Sequence, residues 1–540
     1  MNFEFVRKID PNDDPSAEPM SLPALVVLLI ATTVSTWMFL RWKIQPTQDF
    51  GHHLAMVAVA FDYHNPDSLY PAIYKPFDWL STNSLLYSVA AILGKVISPS
   101  LAFRLCMASY VGGMPLVTLW SLRVFGRSAW GAVIAVPLVY NQSYVFGFAN
   151  FLFAAPLAVL AIPLFYRMLT KPSLLRIGAV ALCTTLLFLA HVHVFLWVGF
   201  LLCLMSLVAA IATARAARRA AAWHHGHGAR LAKIIGVSLL SVLPSLALLG
   251  RWLWKTRRHP AVDEFTLMPA EKISWHSFLA ALKPLSRLLR EVAIYTDLVR
   301  TNNDRNFYIA LIIVAGIAIS IGRLHRLSHP PVMELACVLT LASYFILPED
   351  AAGQQVIGSR QIGFGLWFAA AFFAPVPSST TRLGRWVVVA GGVGLTVYQL
   401  WYWRAALEKF QREEAYGLEE VLAAAPPRRR MHYVNILPQS RYFTRNSFWH
   451  VEKWYMIEKF GQCSENIAFF AMNSIRYRKG YNIHRIPVHV NEWPRNNEIW
   501  DNNDLVLIHR WKPSSADLAL ANKRGELLAK KGDWELWKTR

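Results

Sequence analysis

Apolar runs of roughly 15 to 20 residues, broken by short polar stretches, recur through most of the first 400 positions. A helix rises about 1.5 Å per residue, so about 20 apolar residues cross the ~30 Å hydrocarbon layer of a bilayer. The pattern predicts spans near 21–40, 101–121, 129–141, 150–166, 177–191, 195–213, 232–252, 306–322, 331–347, 361–375 and 386–403. The first run, Ser21 to Leu40, is longer than a signal-peptide core and lacks a small-x-small cleavage site before "RWK". It reads as a retained span. Two stretches break the rhythm. Arg41 to Asn83, rich in Pro, Tyr, Asp and His, reads as a long wet segment. Ser84 to Ile97 is apolar but short, and reads as a juxtamembrane helix lying in the interface.

Past about Arg404 the period changes. "MHYVNILP", "NDLVLIHRW" and "GDWELWKTR" read as strands, and "FWHVEKWYMIEKFG" reads as an amphipathic helix. Alternating helices and strands predict a small α/β unit. The expected division is a polar tail over 1–20, a multi-span part over 21–403 with its first outer loop at 41–100, and an α/β domain over 404–540. The expected fold class is a polytopic α-helical membrane protein of about eleven spans, closed by a small C-terminal extracytoplasmic α/β domain.

Composition agrees. Of 540 residues 54% are hydrophobic and 16% are charged, against about 25% charged in an average soluble protein. The net charge of +21 would suggest nucleic acid in a soluble chain. Here the bases fall in short loops: "RVFGR", "YRMLTKPSLLR", "ARAARRAAAWHHGHGAR", "GRLHRLSH" and "TRLGR". With a cytoplasmic N-terminus all five lie on the cytoplasmic side, the positive-inside arrangement of an inner-membrane protein. No nucleic-acid partner is expected; membrane lipids are. An odd number of spans then puts the C-terminal domain outside the cytoplasm. Four of the five cysteines lie in apolar runs and Cys463 stands alone, so no disulfide framework or Cys/His zinc spacing arises.

Asp49, His52 and His53 follow the first span at i, i+3 and i+4, so a helix there presents them on one face. The same topology brings His191 and His193 in "LAHVHVFLW" to the outer end of the fifth span. It places Glu349, Asp350 and Arg360 in "LPEDAAGQQVIGSRQIGFG" between spans nine and ten. Each has a plainer use: Asp49 as a solvated span end, the histidine pair as interfacial packing, Glu349 and Asp350 as a turn after Pro348, Arg360 as a snorkelling cation. Together, ionisable groups from distant segments at one membrane face mark a functional site. A carboxylate there suits a general base. Arginine and histidines suit a leaving phosphate. Asp49 with His53 suits a divalent metal gripping the same phosphate. A transporter or flippase using these groups as a path, and a non-catalytic subunit of an envelope polysaccharide machine, are the competing readings. The tract "HHGHG" (His224 to Gly228) reads as a solvated cytoplasmic loop.

A first span, an outer loop opening on an acid, juxtamembrane helices, many spans and a terminal α/β domain together resemble the GT-C superfamily of glycosyltransferases. Locally the resemblance rests on "QDFGHH", on "LLYSVAAILGKVISPSLAFRL" followed by "WSLRVFGRSAWGAV", on "VIGSRQIGFGLWFAAAFFAP" and on the ending "NDLVLIHRW…GDWELWKTR". Such enzymes, protein O-mannosyltransferases and lipid A aminoarabinose transferases among them, take sugars from polyprenyl phosphate. The resemblance implies inverting transfer to an extracytoplasmic glycan, lipid or protein acceptor. It puts the catalytic acid at Asp49 and the phosphate-holding arginine at Arg360, with His52, His53, His191, His193, Glu349 and Asp350 as candidate donor-binding groups. Many members carry two adjacent acids or a DxD in this loop; here Phe50, Gly51, His52 and His53 follow Asp49. That departure leaves the second polar role to histidines and the metal open. No oligosaccharyltransferase-like WWDYG is present.

Overall fold

The computed structural model describes residues 21–219, 225–258, 298–300, 303–321, 332–347, 357–374, 382–463, 467–469, 473–478 and 490–540. Helix α1 (Leu22–Arg41) opens on Ser21, whose hydroxyl accepts from the Ala24 amide, and carries a proline in its first turn. Its 20 residues reach about 30 Å, the thickness of the hydrocarbon layer. Five described helices are long and apolar enough to cross a membrane: α1, Pro99–Val124, Ala149–Thr170, Val192–Arg215 and Gly228–Lys255. Leu174–Ala190, Arg305–Ile317 and Val332–Ser343 are apolar but shorter.

The run read as a span over 129–141 is not one continuous helix. Ala129–Ile134 is a 3-10 helix and Ala135–Leu138 adds a single α turn. A Cβ on Gly131 would lie 2.5 Å from the Ala374 Cβ, so this segment presses its backbone against a neighbouring element.

The segment read as wet is the larger surprise. Helix α2 (Phe50–Asp62) has every residue but Phe61 buried. It is covered from the other end of the chain. Tyr70 Oη donates to the Gly461 carbonyl (3.0 Å), Tyr74 Oη to Gln462 Oε1 (3.0 Å), and Arg428 Nη1 pairs with Asp62 Oδ2 (2.9 Å).

That far end holds a five-stranded sheet: β1 (Arg430–Asn435), β2 (Gln462–Cys463), β3 (Leu505–His509), β4 (Gly525–Lys531) and β5 (Trp534–Thr539), in the order β2-β1-β3-β5-β4. β1 runs parallel to β2 and β3, with Met431 opposite Leu505; β5 runs antiparallel to β3 and β4. All five residues of β3 are buried, and successive side chains serve opposite faces. Leu505 and Leu507 join Met431, Tyr433, Trp534 and Leu536 in the core that also contains α2. Val506 and Ile508 pack with Val434, Trp493, Trp500 and Trp537 on the other side. One face of the sheet is thus continuous with the helical core.

Within the apolar helices one acid stands out. Glu334, in the helix Val332–Ser343, is paired with Arg127, and both are nearly inaccessible. Removing one partner strands the other charge, at a cost of about 3–5 kcal/mol. Glu334→Ala is therefore expected to lower the unfolding midpoint and the yield of folded protein in detergent. Replacing both residues, Arg127→Met with Glu334→Leu, is expected to recover most of that loss, as measured by thermal unfolding.

Candidate functional site

Asp49 occupies the N-cap position of α2 at φ −108° and ψ 0°, and its side chain makes no cap hydrogen bond. Its amide donates to the Phe146 carbonyl (2.9 Å), and the Gln48 amide donates to Val145 (2.9 Å). These bonds tie the start of α2 to the short helix Gln142–Phe146 and the turn after it. Gly147 in that turn has φ +78°, and a Cβ on it would lie 2.8 Å from the Asp49 nitrogen. Glycine fits both the left-handed backbone and the close approach. The carboxylate of Asp49 is a quarter exposed. Loss of water raises its pKa to about 7, against the opposing pull of Gln48 and of the Arg360 charge.

Arg360 lies in the first turn of the helix Ile357–Ala369. Its guanidinium carbon sits 3.9 Å from the centroid of Phe148 and 5.8 Å from that of Phe151. Nη1 is 3.5 Å from His191 Nε2. The next residue, Gln361, places Nε2 3.0 Å from His193 Nε2. The arginine's charge reaches Asp49, His53, His191 and His193 alike. Residues from three other segments thus bear on one cation.

His53 points into a relay of neutral groups. Asn150 Nδ2 donates to Tyr87 Oη (2.8 Å), so the phenol's own hydrogen is free for His53 Nδ1, also 2.8 Å away. That bond leaves the ring proton on Nε2. Burial, then the Arg360 charge, lowers the His53 pKa to about 3, and the ring is neutral at physiological pH. Tyr87 comes from the helix Leu85–Leu93 and Asn150 from Ala149–Thr170.

His52 takes another direction. Its ring lies 3.6 Å from that of His450, centroid to centroid, tilted by 35°. His450 Nε2 stands 3.9 Å from Asp49 Oδ1. Burial and then Lys453 bring the His450 pKa down to about 3, so this contact is no ion pair at neutral pH. Burial, His450, Lys453 and His53 together lower His52 well below its usual range. The backbone of His450 is seated by Gly51, where a Cβ would lie 1.8 Å from the His450 carbonyl oxygen. Gly51→Ala is expected to displace the 447–452 segment and destabilise the protein by about 1–3 kcal/mol or more. Thermal unfolding reads that change directly.

The structure thus brings together Asp49, His52, His53, His191, His193 and Arg360. Glu349 and Asp350 lie outside the described residues. Among the described residues the group that could hold an ion is Asp49, His52 and His450, with His53 outside it. His450, Tyr87, Asn150 and Gln361 are new members of the site. No spacing in the sequence announces them. Three are single polar residues in apolar or amphipathic helices, and only buried polarity singles them out.

No family model matches this chain, and no curated protein does either. A solved structure does. Over 96% of this chain and 98% of its own, a crystal structure of ArnT from Cupriavidus metallidurans bound to undecaprenyl phosphate superposes at a TM-score of 0.51 and 12% identity. The chain has the ArnT fold. The GT-C resemblance read from the sequence therefore holds at the level of the fold. A structure of ArnT in the apo state aligns over 95% and 98% of the two chains, with 12% identity and a TM-score of 0.39. The ArnT fold, together with the five membrane-length helices, makes this an integral membrane protein.

Proposed function

We propose that this protein is a membrane glycosyltransferase. It moves a sugar from a polyprenyl-phosphate-linked donor to an extracytoplasmic glycan, lipid or protein acceptor. The observation that carries the reading is the grouping of one carboxylate, Asp49, with Arg360 and neutral imidazoles, on a fold whose solved relative is bound to undecaprenyl phosphate. In this reading the site faces away from the cytoplasm, with the N-terminus inside and the C-terminal sheet outside. The acceptor hydroxyl approaches Asp49 and attacks the anomeric carbon while Asp49 takes its proton. Arg360 receives the phosphate that departs with the polyprenyl chain. Attack opposite the departing phosphate inverts the anomeric centre. His53, held by Tyr87, presents its Nε2–H as a donor to the sugar or the phosphate, and Gln361 orients His193 to do the same.

The reading is tested in liposomes containing the purified protein and a donor labelled in its sugar. Label leaving the lipid fraction for an envelope acceptor extract is the expected result. Label that crosses the bilayer still bound to its lipid would favour the transporter.

A base must be ionised to act. With the Asp49 pKa raised to about 7, transfer measured with a chelator present is expected to rise as pH climbs through about 7 and to level off above it. His53 and His450, both near 3, stay neutral across this range and add no second limb. A transfer profile flat from about pH 5 to 9 would count against Asp49 as the base.

A further inference from the structure

Asp49, His52 and His450 each offer one ligating atom, and these atoms lie within 4.8 Å of one another. The polar groups do not satisfy each other. His450 Nε2 and Asp49 Oδ1 are too far apart, at 3.9 Å, for a hydrogen bond. His52 is only 7% exposed, and its Nδ1 is buried with no hydrogen-bond partner among the described residues. A buried, unsatisfied ring nitrogen beside a second imidazole and a carboxylate calls for an ordered water or an ion. Two imidazoles select against the hard cations, since magnesium and calcium prefer oxygen ligands throughout.

We infer that Asp49, His52 and His450 form a binding site for one divalent transition-metal ion of the zinc class. Ligand atoms of a tetrahedral zinc site stand about 3.3 Å apart, so side-chain rotations on the order of 1 Å close this one. Three protein ligands leave one position for water or a substrate oxygen. Asp49 is the N-cap residue of α2 and His52 lies in its first turn, whereas His450 arrives from the far end of the chain and is seated on Gly51. The ion thus pins the 447–452 segment to the start of α2. Where Asp49 serves as the base, the ion takes the lone pair that a proton needs, and zinc slows transfer; this consequence alone rests on the function proposed above.

The test uses full-length protein, purified through a tag free of histidine and stripped with chelator. Cobalt is titrated by its visible d–d absorption, and zinc by competition with a chromophoric chelator. His224, His225 and His227 are a second histidine tract in the sequence, so a variant with all three changed to Ser is titrated in parallel. The expected result is one equivalent bound per chain, retained in the tract variant. His52→Gln and His450→Gln should each weaken it by more than about 100-fold, beyond the roughly 10–100-fold typical of losing an outer-shell partner. Zinc should raise the unfolding midpoint of the natural protein and of neither Gln variant. The two histidines lie in separate elements, so a folding defect in one leaves the other as the test. Binding that survives both Gln variants, disappears with the tract, or is not detected in folded protein overturns the site. Cobalt absorption reports binding whatever reaction the protein performs, so its outcome and that of the transfer assay are separable.

Discussion

Asp49→Asn is expected to abolish sugar transfer while leaving the protein folded. The substitution keeps the shape of the side chain and removes its capacity to take a proton. The backbone bonds that hold position 49, its amide to Phe146 and the neighbouring Gln48 amide to Val145, do not involve the carboxylate. The carboxylate's burial costs stability rather than adding it, as its raised pKa shows. A positioned base contributes about 10²–10⁴-fold to rate, and a fall of that size is expected at unchanged unfolding midpoint. Asp49→Glu moves the carboxylate by one methylene, with His450 Nε2 only 3.9 Å from Oδ1, and should recover little. Transfer within about threefold of the natural protein in Asp49→Asn would remove the base from the mechanism.

Arg360→Ala carries the second large effect. Arg360 is the cation whose charge bears on Asp49, His53, His191 and His193, and its guanidinium carbon sits 3.9 Å from the Phe148 ring centroid. If it receives the departing phosphate, its interaction strengthens as the bond to the sugar breaks. The loss should then fall on kcat, by about 10²–10³, with a smaller change in KM. Arg360→Lys keeps a charge without the planar fork that grips two phosphate oxygens, so it should restore only part of the rate. A purely structural role would lower the unfolding midpoint and leave the kcat of the folded fraction unchanged.

The sequence made much of this legible, for identifiable reasons. A first span needs only an unbroken apolar run, and Leu22–Arg41 supplies one. Asp49, immediately beyond it, is conspicuous because an acid so close to a span end is costly without a purpose. Strand segments near 430–435, 505–509 and 534–539 show in their β-rich composition, bounded by polar turns. Other features depend on contacts that local pattern does not encode. The stretch from Arg41 to Asn83 looks wet because its polar residues have partners 366 to 391 positions later: Asp62 with Arg428, Tyr70 with Gly461, Tyr74 with Gln462. His450 is hidden in the sequence for the same reason, since nothing in "FWHVEKW" relates it to "QDFGHH". The run at 129–141 is apolar enough for a span, but a close backbone contact at Gly131 and Pro137 within the run break it into shorter turns.

The most direct test counts polyprenyl phosphate. Purified protein is given a polyprenyl-phosphate-linked sugar and an acceptor extract. Free polyprenyl phosphate and transferred sugar are then measured together by mass spectrometry, for the natural protein and for Asp49→Asn. The account predicts one polyprenyl phosphate released for each sugar transferred, with both products lost in the variant. Transfer without release of polyprenyl phosphate, or equal release by Asp49→Asn, would contradict it.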